Sequence, residues 1–158
     1  RATGTVVQDA AFMVTVPHCC PATPALRHNP VFLYMMDRFS RPVPFRPDIA
    51  VAVDDTMDRK WDMLDAMESQ FYEWLPQLAG EADNVPTAKD VRKKWLRQRW
   101  TPLLEKASRL GRPALDRWYG IDSGSVRFAE LFEICEYGHI PSETELARLL
   151  PFTSGTGG

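Results

Sequence analysis

Proline placement is the feature that most constrains this chain, which carries 13 prolines in 158 residues. Each proline removes a backbone N–H and drives its predecessor out of the helical region, so together they mark where helices and ladders must stop. Pro17 closes a first helix that starts near Ala2, in which Val6, Ala10, Met13 and Val14 recur at helical intervals. Pro21, Pro24 and Pro30 make the stretch 18–30 a loop, and Arg41-Pro-Val-Pro-Phe-Arg-Pro47 can only be a connector.

Two short apolar runs lie between these breaks, Val31-Phe32-Leu33-Tyr34-Met35-Met36 and Ile49-Ala50-Val51-Ala52-Val53. Both have the pattern of strands covered on both faces, which predicts part of an α/β sheet. Asp54 or Asp55 is placed to cap the helix that follows, where Met57, Trp61, Leu64, Met67, Phe71, Trp74 and Leu75 mark one face. Pro76 is expected to end that helix, and 79–84 reads as an exposed turn.

Thr87 is the expected cap of a further helix. Its apolar side runs through Val91, Trp95, Leu96, Trp100, Leu103, Leu104, Ala107 and Leu110, with a kink at Pro102 and an end at Gly111 and Pro113. Segments 114–119, 126–137 and 142–150 read as shorter helices, and Ser142-Glu-Thr-Glu145 has capping-box spacing. The glycine-rich stretch 153–158 reads as a flexible tail. No internal repeat is visible.

Composition narrows the function classes. With 44% hydrophobic and 25% charged residues the chain is an ordinary globular one, and 19 basic against 21 acidic side chains leave a net charge of -2. Disorder and polyanion binding driven by overall charge are both disfavoured. No apolar run approaches the roughly 20 residues of a membrane span, and no secretory pattern opens the chain, so a cytoplasmic location is expected. Cys19, Cys20 and Cys135 are an odd count with two adjacent, which suits reduced thiols rather than a disulfide framework. A first residue of Arg1 is read as the sign of a longer reading frame, processing or a lost upstream part.

Several residue groups could carry chemistry. His18-Cys19-Cys20 holds zinc-ligand types, but adjacent cysteines lack the intervening residues that wrap an ion, and His28 and His139 add no ligand spacing. Arg92-Lys-Lys-Trp-Leu-Arg-Gln-Arg-Trp100 joins basic residues to two tryptophans. On a helix the tryptophans fall in the apolar stripe and the basic residues opposite, so a solvated face is expected and no nucleic-acid partner. Asp54 and Asp55 suit capping better than an acid–base pair. Ser69 has neither a nearby histidine nor a nucleophile elbow.

Taken in order, several segments resemble the C-terminal half of the PIG-L/LmbE-like de-N-acetylase family. Arg1-Ala-Thr-Gly-Thr-Val-Val-Gln-Asp-Ala10 is similar to the helix that follows that family's His-x-Asp-His motif. The likeness continues through Phe12-Met-Val-Thr-Val-Pro17 and the run 31–36. Phe45-Arg-Pro-Asp-Ile-Ala-Val-Ala-Val-Asp54 is similar to its Lys-Pro-Asp-x-x-x-Asp segment, and 60–70 to its Lys-x-x-Ala-x-x-x-His-x-Ser-Gln helix. Met67 stands where that helix commonly has histidine, while Ser69 and Gln70 match. Nothing beyond Leu78 carries the resemblance.

The resemblance implies the C-terminal portion of a Rossmann-like hydrolase fold, with a few sheet strands and a helix-rich C-terminal region. Residues 1–78 would form the C-terminal half of the de-N-acetylase-like domain, 79–152 a helical extension packed on it, and 153–158 the tail. Family members hold a divalent ion, usually zinc, through an upstream His-Pro-Asp-Asp loop and the His-x-Asp-His motif. Neither motif occurs here, so the ion is expected in the parent protein and not on this chain alone, which would be inactive by itself. The implied reaction is hydrolysis of an N-acetyl amide bond, with an N-acetylglucosamine-type conjugate as substrate.

Expected partners are that substrate and the missing N-terminal half of the same domain. No catalytic or metal-ligating residue is assigned to these positions. Gln70 matches the family glutamine near the pocket and Arg1 the arginine that often follows the ligand histidine, and both are candidate substrate contacts. His18, on the loop after the first helix, is a third candidate, with a surface histidine as the alternative. The competing reading is a non-catalytic helical interaction module whose tryptophan-rich helices pack on a partner.

Overall fold

The computed structural model describes residues 2–38 and 40–151. Arg1 and the tail 153–158 lie outside the described residues, so the expectations for them are not addressed by the structure. The described chain is mixed α/β, with helices α1 (Ala2–Met13), α2 (Met57–Ala66), α3 (Leu75–Leu78), α4 (Lys89–Leu110), α5 (Arg112–Tyr119) and α6 (Glu143–Leu149). Strands β1 (Leu33–Met35), β2 (Ile49–Ala52) and β3 (Ala129–Ile134) complete it.

The three strands form one sheet in the order β1-β3-β2. β3 is antiparallel to both neighbours, with Leu33 opposite Ile134 and Ile49 opposite Phe132. The expected helix over 126–137 is therefore a strand at its centre. Ala129-Glu-Leu-Phe-Glu-Ile134 has good helix formers, but β1 and β2 each need the same partner to close their ladders, and that pairing overrides local propensity. The stretch 79–152 is thus not wholly helical.

Two aspartates hold β3 at its ends. Asp54 accepts the backbone N–H groups of Arg127 at 3.2 Å and Phe128 at 3.3 Å, and Asp48 Oδ2 accepts that of Ile134 at 2.9 Å. Asp54 was expected to cap a helix, but the short 3₁₀ turn Asp54–Thr56 and α2 both begin without a side-chain cap. The carboxylate answers orphan strand amides instead.

Helices pack on the sheet through small residues. Ala50, Ala107, Ala114, Leu115, Val126, Ala129 and Leu131 form one buried cluster, flanked by Phe45, Trp118 and Tyr119. At Gly111, between α4 and α5, an added Cβ would lie 2.3 Å from Leu131 Cδ2, so the chain there needs glycine to approach β3. A second cluster joins Met57, Trp61 and Phe128 to Leu64, Trp100 and Leu104. The fully buried Leu115 and Leu131 of the first cluster each contribute roughly 1.5–3 kcal/mol.

Several local expectations meet corrections. β1 is an edge strand, not one covered on both faces, and Met35 is 68% exposed. The apolar helix expected from Met57 to Leu75 breaks after Ala66, where Met67 takes ψ 63°, and resumes as a π-helical turn over Ser69–Trp74. Pro76 does not end this run. It sits buried in the first turn of α3, where its missing N–H costs nothing.

Thr87 is not a cap, because α4 starts after Ala88 with no side-chain cap bond. α4 passes through Pro102 as one helix. The capping box at Ser142 is present as expected, its side chain accepting from Glu145 N and the Glu145 side chain receiving Ser142 N–H at 2.8 Å.

α1 shows the largest departure. Its expected apolar stripe faces away from the rest of the chain, with Val6 66% and Met13 44% exposed. The opposite side is the one that packs, through fully buried Ala11 and through Gln8, whose Nε2 donates to Tyr34 Oη at 2.8 Å.

Candidate functional site

The break between α2 and α3 is the most elaborated local feature, and it carries Gln70. Met67 N–H bonds to the Leu64 carbonyl at 3.1 Å, and Phe71 N–H to the Met67 carbonyl at 3.1 Å. These bonds bridge the interruption on the backbone. Side chains do the rest, since Tyr72 donates its hydroxyl hydrogen to Asp65 Oδ1 at 2.5 Å across the break. Burial and the Asp65 carboxylate push the Tyr72 phenol well above its ordinary range, because both disfavour a phenolate.

Arg92 of α4 lies over the Tyr72 ring at 4.2 Å and pairs with Glu68 at 3.0 Å. Phe71 meets the Trp100 ring edge-on at 5.2 Å. The π-helical turn is thereby locked against α4. Its residues Ser69 and Gln70 are left exposed, and Met67, expected to be buried in an apolar stripe, is 45% exposed. π-helical turns of this kind recur at functional sites.

The basic run on α4 is not a purely solvated face. Arg97 pairs with Asp58 at 2.9 Å and Lys93 with Asp62 at 2.5 Å, so α2 and α4 are laced together by opposite charges. The Lys93 ammonium holds the Asp62 carboxyl below its usual value. Arg99 pairs with Glu81 and lies over the rings of Trp95 and Trp100, at 5.9 and 5.4 Å. Cations and tryptophans expected on opposite sides of the helix therefore stack on one another.

His18 lies exposed in the turn after α1, followed by exposed Cys19 and Cys20. Gln70 and His18 belong to different elements, and neither lines the two cavities described next. One, of about 480 Å³, lies between α6 and the segment entering β1, lined by Val31, Leu33, His139, Glu145 and Leu149 among others. The other, of about 300 Å³, sits beyond the end of β2 and is lined by Asp54, Asp55, Tyr119, Asp122 and Ser125 with Ala52 and Val126. Tyr119 Oη there accepts the N–H of Ala52 at 3.0 Å. Sequence reasoning missed this second cavity, because Tyr119 and Ser125 reach Asp54 only through the packing of α5 on β2.

Among the described residues no group of three or more His, Cys, Asp or Glu side chains could hold a metal ion. The divalent ion implied by the resemblance therefore has no ligand set in these residues, and no hydrolytic step through an ion is derived. No helix of the described residues is long and apolar enough to cross a membrane.

Comparison with protein-family models, with curated proteins and with solved structures gave no match in any of the three.

Proposed function

We propose that this chain is the C-terminal part of a metal-dependent de-N-acetylase that hydrolyses an N-acetyl amide bond, with an N-acetylglucosamine-type conjugate as substrate. The observation that carries the reading is the orientation of α1. Its apolar residues Val6, Ala10 and Met13 lie exposed while Ala11 and Gln8 pack inward. Water contact along an apolar helix stripe is costly, so the stripe calls for a covering layer that these residues do not supply. The upstream half of a Rossmann-like domain is the layer that the family resemblance provides.

In this reading the chain supplies sheet, closing helices and part of the pocket wall, and the ion and its ligands belong to upstream residues. In the complete protein a bound divalent ion would supply a nucleophilic water and polarise the amide carbonyl. The work of this chain is positional: the locked turn at Ser69–Trp74 presents the Gln70 amide, which can donate to and accept from sugar hydroxyls or an acetamide. Arg1 and His18 are further substrate contacts of the proposal.

The interaction-module reading depends on free tryptophans. Trp61 is buried in the second core cluster, and Trp95 and Trp100 are taken up by aromatic and cationic neighbours within the chain, while Trp74 on the π-helical turn is 56% exposed. The deciding experiment is expression of the complete reading frame. One tightly held divalent ion, lost together with N-acetyl sugar hydrolysis on chelation, is the expected result. A full-length protein that holds no metal and deacetylates no N-acetyl sugar overturns the proposal in favour of the module.

A further inference from the structure

Cys19 and Cys20, in the turn Pro17-His18-Cys19-Cys20-Pro21, play no part in the core or in the hydrolase reading. Cys19 and Cys20 are both exposed and free, whereas Cys135 is buried. Their turn is tied down locally. Cys19 N–H bonds to the Val16 carbonyl at 3.2 Å and Thr23 N–H to the Cys20 carbonyl at 2.9 Å. The Cys20 thiol itself donates to Thr23 Oγ1 at 3.5 Å.

Adjacency decides what two such thiols can do. The Cys19–Cys20 peptide is trans, which sets the Cα atoms about 3.8 Å apart, shorter than the roughly 4.4–6.8 Å that disulfides usually span. A bond between the two sulfurs would be strained and easily reduced. A third atom between them removes that strain. With bonds of about 2.3 Å to each sulfur, the length found in zinc thiolates, it joins sulfurs roughly 3.5–3.8 Å apart rather than about 2 Å.

We propose that Cys19 and Cys20 form a chelating site for a thiophilic centre that accepts two thiolates, of the class of monosubstituted trivalent arsenicals. Two arsenic–sulfur bonds form, the arsenic–oxygen bonds break, and the two thiol protons leave with the oxygen as water. Arsenic and sulfur keep their oxidation states, so no oxidant or reductant is required. After the first sulfur attaches, the second is presented on the same turn at high effective concentration, which favours the chelate over capture by separate monothiols.

The test uses the reduced 158-residue chain with phenylarsine oxide, read by intact mass before and after challenge with excess glutathione and then dithiothreitol. The expected result is a single adduct that survives glutathione and is removed by the competing dithiol. Retention falls roughly tenfold or more in Cys19→Ser and in Cys20→Ser, as loss of chelation requires, and is unchanged in Cys135→Ser. Undiminished retention in either exposed-site variant, or stripping of the original chain by glutathione, overturns the proposal. Serine at exposed turn positions leaves the fold in place, so a negative result bears on the site itself.

Discussion

Tyr72 gives its hydroxyl hydrogen to the Asp65 carboxylate at 2.5 Å, and this one bond spans the point where the helix after β2 loses its regular hydrogen-bond ladder. It couples a buried ring on the π-helical turn to the last turn of α2.

Tyr72→Phe keeps the ring under Arg92 and removes only the bond to Asp65. A loss of about 1–3 kcal/mol is expected, measured by urea denaturation, since a charge-assisted bond is deleted and Asp65 loses a partner. The raised phenol pKa fixes the sign of the pH dependence. Its contribution is complete below the ordinary phenol value near 10 and is lost as pH rises through the higher folded value. Tyr72→Phe should flatten that alkaline decline.

Asp54→Ala should release the start of β3. The amides of Arg127 and Phe128 lose their acceptor, and hydrogen exchange at both should accelerate well before global unfolding. About 1–2 kcal/mol of stability is expected to go with them. Unchanged exchange at both amides would show that the carboxylate does not hold the strand.

The acid response of Glu145 follows from the capping box. The Ser142 backbone N–H lowers its carboxyl pKa, followed by the Ser142 hydroxyl and His139. The stabilisation of α6 is therefore present above the ordinary carboxylate value and fades as pH falls through the lower folded one. A carbon-detected NMR titration should give a Glu145 midpoint below that of a free glutamate, and Ser142→Ala should move it back up.

Gly138→Ala tests a close approach between backbones. An added Cβ would lie 2.6 Å from the Pro30 carbonyl oxygen and 2.7 Å from Phe32 Cδ2, and the backbone oxygen cannot yield as a side-chain tip can. A loss of about 1–3 kcal/mol is expected in thermal or chemical unfolding. Gly124→Ala, where nothing lies within 4 Å of the added atom, serves as the near-neutral control.

Charge on the exposed stripe of α1 distinguishes solvent from a covering layer. In this chain Val6→Lys with Met13→Lys should change stability by no more than about 0.5 kcal/mol, the range for exposed positions. In the complete reading frame the same pair should cost several kcal/mol, with soluble yield and unfolding midpoint as readouts. Equal tolerance in both would remove the support that α1 lends to the hydrolase reading.

Much local structure was legible in the residues. The Ser142 box forms because its partners lie three residues apart, and the 41–47 stretch stays out of the sheet because Pro42, Pro44 and Pro47 lack donors. The helix at α4 and the strand at β2 follow from periodicity and β-branched content. For the candidate site, the residue types Ser69 and Gln70 could be named, but the π-helical turn could not. That turn exists because Tyr72 must reach Asp65 and Phe71 must reach Trp100, contacts invisible to a one-dimensional pattern.

By itself the sequence determined the Ser142 capping box, the proline-rich connector at 41–47 and which stretches are apolar, because those depend on neighbours within about four residues. Tertiary structure alone decided that 129–134 is a strand, that Asp54 serves its amides, and that the α1 stripe faces outward. The physical reason is that a ladder or a buried face is a property of two segments at once. Ala129-Glu-Leu-Phe-Glu-Ile134 takes its conformation from β1 and β2, and no reading of those six residues contains their partners.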